Sequence, residues 1–97
     1  MSFLPDLETI IHNRKESPTS DSYTSQLFAA GLPRIAQKVG EEAVEVIVAG
    51  ALQDSERLVE ESADLLYHLL VLLAYRDIAW DSVESELQKR HQDRLRG

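Results

Sequence analysis

The chain has 97 residues, of which 43% are hydrophobic and 28% are charged, and these proportions are ordinary for a soluble globular protein. This length predicts one domain spanning residues 1–97 and leaves too little chain for a second. The net charge of −7 argues against non-specific binding to DNA or anionic membranes, and the lack of cysteine excludes disulfides, thiolate zinc sites and a cysteine nucleophile.

The first two helices are predicted over residues 5–14 and from about residue 22 through residue 30, with a polar loop between them. Asp21 or Ser22 can cap the second helix, and Gly31 ends it. The side chains expected to face inward are Leu7, Ile10, Ile11, Leu27 and Phe28.

The rest of the chain predicts three longer helices. Pro33 fits the first turn of the third, which runs to about residue 52. Asp54 or Ser55 caps the fourth, which continues to about residue 77. Asp81, with Glu84 three residues later, resembles a capping box for a last helix through about residue 94. Because no segment shows sustained strand alternation, we predict an all-α fold with about four to five helices per chain.

The fourth helix predicts a partner chain. Residues 65–75 are apolar on nearly every side, the pattern of a helix that is buried all round. A chain of this length has too few other helices to surround it, so we predict a helical bundle completed by homodimerisation. The same stretch is too short to span a bilayer, and residues 1–10 lack the features of a signal peptide. We therefore expect a cytoplasmic protein that binds neither membrane nor nucleic acid.

Four carboxylates at matched spacing carry the main functional signal. Glu42 and Glu45 lie three residues apart in the third helix, and Glu61 and Asp64 repeat this spacing in the fourth. Residues three apart share one side of a helix, so each pair brings two like charges together at a cost in stability. A hard divalent cation with oxygen ligands would offset that repulsion. The charged arc of the third helix is flanked by apolar residues, which favours a metal site over a solvated acidic face.

The segments around these acids resemble the phosphoribosyl-ATP pyrophosphohydrolase family of histidine biosynthesis. The segments are residues 31–45, GLPRIAQKVGEEAVE, and residues 61–71, ESADLLYHLLV. Residues 22–28 and 83–90 are similar to the same family, so the resemblance covers nearly the whole chain. The Glu-x-x-Glu and Glu-x-x-Asp pair alone indicates only the wider all-α nucleoside triphosphate pyrophosphatase superfamily. Residues 91–97 depart from many relatives, because they lack a tail rich in Ser and Gly.

This resemblance implies the second step of histidine biosynthesis, in which phosphoribosyl-ATP and water give phosphoribosyl-AMP and pyrophosphate. Mg²⁺ is the implied cofactor, since it neutralises phosphate oxygens and lowers the pKa of an attacking water. The implied site residues are the metal ligands Glu42, Glu45, Glu61 and Asp64, the catalytic Glu41, and the substrate-binding Lys38 and Arg34.

Several alternatives stay open at this point. Glu41 can bind metal instead of accepting a proton, Lys38 can simply pair with Glu42, and Arg34 can be an ordinary surface residue. His68 is more typical of a hydrogen-bonded core residue than of a ligand.

Two other functions also fit the carboxylates. A sibling enzyme would hydrolyse dNTPs with the same metal site. A redox or non-enzymatic metal-binding bundle fits the sequence less well. Di-iron bundles use Glu-x-x-His, whereas the third residue after Glu61 is Asp64.

Overall fold

The computed structural model describes the backbone of residues 2–96 and the side chains of residues 2–92. This part of the chain contains helices and no strand, which confirms the predicted all-α fold. The five helices are α1 (Leu4–Glu16), α2 (Tyr23–Ala30), α3 (Leu32–Leu52), α4 (Ser55–Tyr75) and α5 (Trp80–Arg96).

Local sequence signals set most of the helix boundaries. The Ser22 side chain accepts the backbone N–H of Ser25 and caps α2. Gly31 ends α2 with φ of 90°, a conformation that favours glycine, and Pro33 lies in the first turn of α3. Asp54 accepts the backbone N–H of Arg57 and caps α4. These predictions are confirmed.

The longest helices, α3 and α4, make the largest helix–helix contact of the molecule and are joined by a short turn. The helices α1 and α2 pack on this pair and close a small core. The buried apolar side chains of that core are Ile11, Leu27, Ile35, Leu70, Val71 and Ala74. Phe28 and Leu7 pack against it. Ile10, which was expected to face inward, is exposed, because the core contacts of α1 come from Leu4, Leu7 and Ile11 and Ile10 lies at the edge of this stripe.

The start of α5 differs from the predicted capping box. The backbone N–H of Trp80 donates to the Glu8 carboxylate of α1 at 2.6 Å, and its indole N–H donates to Glu84 at 2.8 Å. Asp81 therefore lies inside the first turn instead of capping it. The prediction failed because a side chain distant in sequence supplies the acceptor that a local cap would give.

A single copy leaves much of its apolar surface uncovered. The radius of gyration is 15.2 Å, larger than the roughly 13 Å expected for a compact domain of this length. Leu65, Leu66 and Leu69 of α4 are only partly buried, and Val44 and Ile47 of α3 are 57% and 68% exposed. None of the helices described here is long and apolar enough to cross a membrane.

Candidate metal centre and its surroundings

Three of the four predicted carboxylate ligands meet between α3 and α4. Glu42, Glu61 and Asp64 each offer one oxygen, and these oxygens all lie within 4.8 Å of one another. Glu61 is buried, with 7% of its surface exposed, Glu42 is half-buried, and Asp64 is exposed. The cluster therefore runs from the interior of the helix pair to its surface.

The helix pair itself creates this geometry. Glu61 and Asp64 are three residues apart on α4 and share one side of it. The contact between α3 and α4 brings Glu42 to the same point. Glu45 lies one turn further along α3, is exposed, and is not part of this three-residue cluster. Its role as a ligand stays a prediction.

Lys38 supplies positive charge on the α3 side of the cluster. Its ammonium lies 3.3 Å from Glu42 and 3.5 Å from Glu41. Partial burial opposes the charged form of Lys38, but the hydrogen bond to Glu42 and the nearby Tyr23, Glu42 and Glu41 outweigh it. The pKa of Lys38 is therefore raised above its ordinary value. Lys38 is a firmly charged cation beside the carboxylates.

Arg57 supplies positive charge on the α4 side, and sequence reasoning missed it. Its guanidinium donates to Glu61 at 2.5 Å and to Glu60 at 2.7 Å. The hydrogen bond to Glu60 and the charge of Glu61 raise the pKa of Arg57. The available signal was the spacing of opposite charges three and four residues apart on one helix.

Glu41 and Arg34 lie outside the cluster, at the surface of α3. Glu41 is exposed and accepts a hydrogen bond from Gln37 at 2.9 Å. This bond and the Lys38 ammonium lower the pKa of Glu41, which makes it a weaker proton acceptor than an unpaired carboxylate. Arg34 is exposed on the same helix, and its charge also lowers the pKa of Glu41.

Three aromatic side chains, Tyr23, Tyr67 and His68, form a group beside the carboxylate cluster. His68 is buried, its Nδ1 lies 2.8 Å from the Asp64 backbone carbonyl, and its Nε2 lies 2.9 Å from the Tyr23 hydroxyl. The hydroxyl of Tyr67 is hydrogen-bonded to Thr24. His68 is thus a hydrogen-bonded interior residue, and its neighbour Tyr23 is a further residue that sequence reasoning did not select.

The donor set of the cluster suits a hard divalent cation. Its ligands are carboxylate oxygens alone, which Mg²⁺ prefers over nitrogen and sulfur donors. The three acids come from two helices and repel one another, so their grouping lowers stability unless a positive charge compensates it. Lys38 and Arg57 compensate part of it from either side. Glu42, Glu61 and Asp64 are therefore the residues that can hold a metal ion.

Comparisons with known proteins show which family the chain is similar to. The family model of phosphoribosyl-ATP pyrophosphohydrolase matches residues 4–91. Three similar curated proteins are each a histidine biosynthesis bifunctional protein HisIE. The one from Pyrococcus furiosus is 53% identical over 90 residues, which make up 93% of this chain and 42% of the relative. The proteins from Vibrio cholerae and Yersinia pestis are 50% and 47% identical over 91 residues, which make up 94% of this chain and 43% and 45% of those relatives.

The chain thus spans less than half the length of these curated relatives. The match to the family model nevertheless covers most of the present chain and includes both carboxylate helices. On these grounds the chain belongs to the phosphoribosyl-ATP pyrophosphohydrolase family.

Proposed function

We propose that this chain hydrolyses phosphoribosyl-ATP to phosphoribosyl-AMP and pyrophosphate, the second step of histidine biosynthesis. The observation that carries the proposal is the grouping of Glu42, Glu61 and Asp64 within 4.8 Å, in a chain of this family. A nucleotide with several phosphates does not cross membranes unaided, so we expect the enzyme to work in the cytoplasm, where its substrate is held.

Mg²⁺ is the cofactor that we propose for this site. Glu42, Glu61 and Asp64 would hold it, with Glu45 as a fourth candidate one turn along α3. When bound, the ion neutralises phosphate oxygens and lowers the pKa of a coordinated water. The carboxylates leave room for this chemistry, since Mg²⁺ usually keeps several positions open for water and phosphate.

The protein's own residues would orient the substrate and handle the proton. Lys38 lies on the arc of α3 next to the carboxylates and would bind phosphate oxygens as a fixed positive charge. Arg34, one turn earlier and exposed, would meet the outer end of the phosphate chain. Glu41, which its lowered pKa keeps ionised although it is a weak base, would accept the proton of the attacking water. The chain has no cysteine, so we infer direct attack by water without a thiol intermediate.

A comparison of substrates tests the proposal against its nearest alternative. Purified protein with Mg²⁺ should turn over phosphoribosyl-ATP far faster than dATP or dCTP. Faster turnover of the dNTPs would instead assign the chain to the sibling activity. Lack of Mg²⁺-dependent turnover of any of these nucleotides would overturn the enzymatic proposal.

We also propose that the protein is a homodimer. The support is the apolar surface that one copy leaves exposed, including Val44 and Ile47 three residues apart on α3 and Val59 on α4. A partner copy would cover this surface and the partly buried leucines of α4.

Sedimentation equilibrium should give twice the chain mass of 11.0 kDa or a higher even multiple. Ile47→Glu should shift the protein toward monomer. A folded wild-type monomer at micromolar concentration would refute the dimer.

A further inference from the structure

Tyr23, at the start of α2, is an exposed aromatic residue whose hydroxyl is hydrogen-bonded to a buried side chain. Tyr23 as a residue is 46% exposed, yet its hydroxyl lies 2.9 Å from Nε2 of His68, which is only 6% exposed. The His68 Nδ1–H donates to the Asp64 carbonyl at 2.8 Å, so in the neutral imidazole Nε2 is the acceptor and Tyr23 the donor. The hydrogen bond to a buried side chain therefore fixes the orientation of the Tyr23 ring.

Other aromatic groups support the ring from behind. Tyr67 lies in a stacked arrangement with it, with centroids 6.3 Å apart and an angle of 26° between the planes. His68 meets both tyrosines edge-on, at centroid distances of 5.8 Å and 5.0 Å. An aromatic ring that is partly exposed and held by aromatic neighbours can stack on a ligand with little loss of side-chain freedom on binding.

The position of this ring relates it to the candidate metal centre. Lys38 lies 3.3 Å from Glu42 of the carboxylate cluster, and Tyr23 is one of the groups that raise the pKa of Lys38. On the other side, His68 links Tyr23 to the backbone of Asp64. The ring is therefore connected through one side chain, His68, to a residue of the carboxylate cluster.

We propose that Tyr23 stacks on the adenine ring of the substrate and that His68 is the positioning residue that fixes it. This inference rests on the proposed function, since it assumes that the phosphates lie between Lys38 and the carboxylates. Every nucleobase has a π-face that stacks on aromatic side chains, and replacing such a side chain weakens binding by about 10-fold or more. Aromatic support from Tyr67 and a buried hydrogen bond give Tyr23 the rigidity that such a contact needs.

Calorimetric titration with two probes tests the contact without requiring turnover. The probes are α,β-methylene-ATP, which has the base and resists cleavage, and inorganic tripolyphosphate, which has phosphates alone, both with Mg²⁺. Tyr23→Leu should weaken binding of α,β-methylene-ATP by about 10-fold and leave tripolyphosphate unchanged, and Tyr23→Trp, which keeps an aromatic face, should lose less than Tyr23→Leu. Equal weakening of both probes would overturn the proposal, as would no change in either.

Two further measurements separate competing explanations. If Tyr23→Leu dissociated the dimer in sedimentation and left nucleotide binding intact, the ring would be an interface contact and the proposal would be wrong. If wild type failed to hydrolyse phosphoribosyl-ATP yet bound α,β-methylene-ATP through Tyr23, the proposed function would fail while the base contact stood.

A double-mutant comparison tests the part assigned to His68. His68→Gln should weaken α,β-methylene-ATP binding in the wild-type background but not in the Tyr23→Leu background, because its effect passes through the ring. Tripolyphosphate binding serves as the internal control in both backgrounds. If His68→Gln weakened α,β-methylene-ATP binding equally in both backgrounds, its effect would not pass through Tyr23. That result would overturn the positioning role of His68.

Discussion

The guanidinium of Arg57 lies 2.5 Å from a carboxylate oxygen of Glu61, the most buried acid of the metal-binding cluster. The protein therefore already places a cation of its own beside a carboxylate that we assign to Mg²⁺. A fixed positive charge beside this carboxylate competes with a metal ion for it and repels the ion.

We expect Arg57→Gln to lower the Mg²⁺ concentration that gives half-maximal activity, by roughly 3-fold or more, since the competing charge is removed. A magnesium titration of steady-state turnover measures this value. Arg90→Gln is the matched control, because Arg90 forms the same kind of pair with Glu86 at 3.0 Å on α5. An unchanged or increased requirement for Mg²⁺ in Arg57→Gln would contradict competition.

The carboxylate cluster should also determine how Mg²⁺ changes the melting temperature of the protein. Asp64→Asn keeps the size of the side chain and removes its charge, so the helix pair should stay folded while Mg²⁺-dependent activity is lost. Metal that binds only the folded state raises the melting temperature, so Mg²⁺ should stabilise wild type and have little effect on Asp64→Asn. Thermal melts with and without Mg²⁺ provide the measurement, with Glu86→Gln on α5 as the control. An equal response of wild type and Asp64→Asn would remove Asp64 from the ligand set.

Acid stability should depend on the contact between α1 and the end of α4. Lys15 donates to Asp77 and to the carbonyl of Ala74, both at 2.8 Å, and the bond from Lys15 lowers the pKa of Asp77. A carboxyl whose pKa falls on folding stabilises the protein above its unfolded pKa, which is about 4. That stabilisation is lost as the pH falls through the lowered pKa of the folded state.

Asp77→Asn should therefore be less stable than wild type at about pH 7, and the difference should disappear at about pH 2. Asparagine tolerates the left-handed backbone at this position, where φ is 57°, so the variant mainly reports the lost charge. Chemical denaturation across this pH range measures the effect, with Asp21→Asn in the exposed loop as the control. A constant difference between Asp77→Asn and wild type at every pH would rule out the ion pair as its cause.

The sequence was most informative where the interaction is local. Ser22, Gly31 and Asp54 define helix ends through bonds with residues close in the chain, and each was predicted correctly. The grouping of Glu61 with Asp64 likewise follows from helical spacing within α4. Local geometry of this kind can be predicted from the sequence because the number of residues per helical turn is fixed.

The features that sequence reasoning missed depend on contacts between residues far apart in the sequence, or on which of several equivalent ion pairs forms next to the site. Glu8 caps α5 from α1, and no pattern around Trp80 indicates an acceptor 72 positions away. Tyr23 is held by His68 of α4 across 45 positions. Arg57 had a local signal in its spacing to Glu61, but the same spacing fits an ordinary surface pair, so the sequence alone did not single it out.

The central claim is that water attacks the anhydride between the α and β phosphates of phosphoribosyl-ATP. Product analysis with purified protein, phosphoribosyl-ATP and Mg²⁺ tests it most directly, and ¹⁸O-labelled water identifies the phosphorus that is attacked. We expect phosphoribosyl-AMP and pyrophosphate in equal amounts, with label in only one of the two products. Orthophosphate as the primary product would contradict the account.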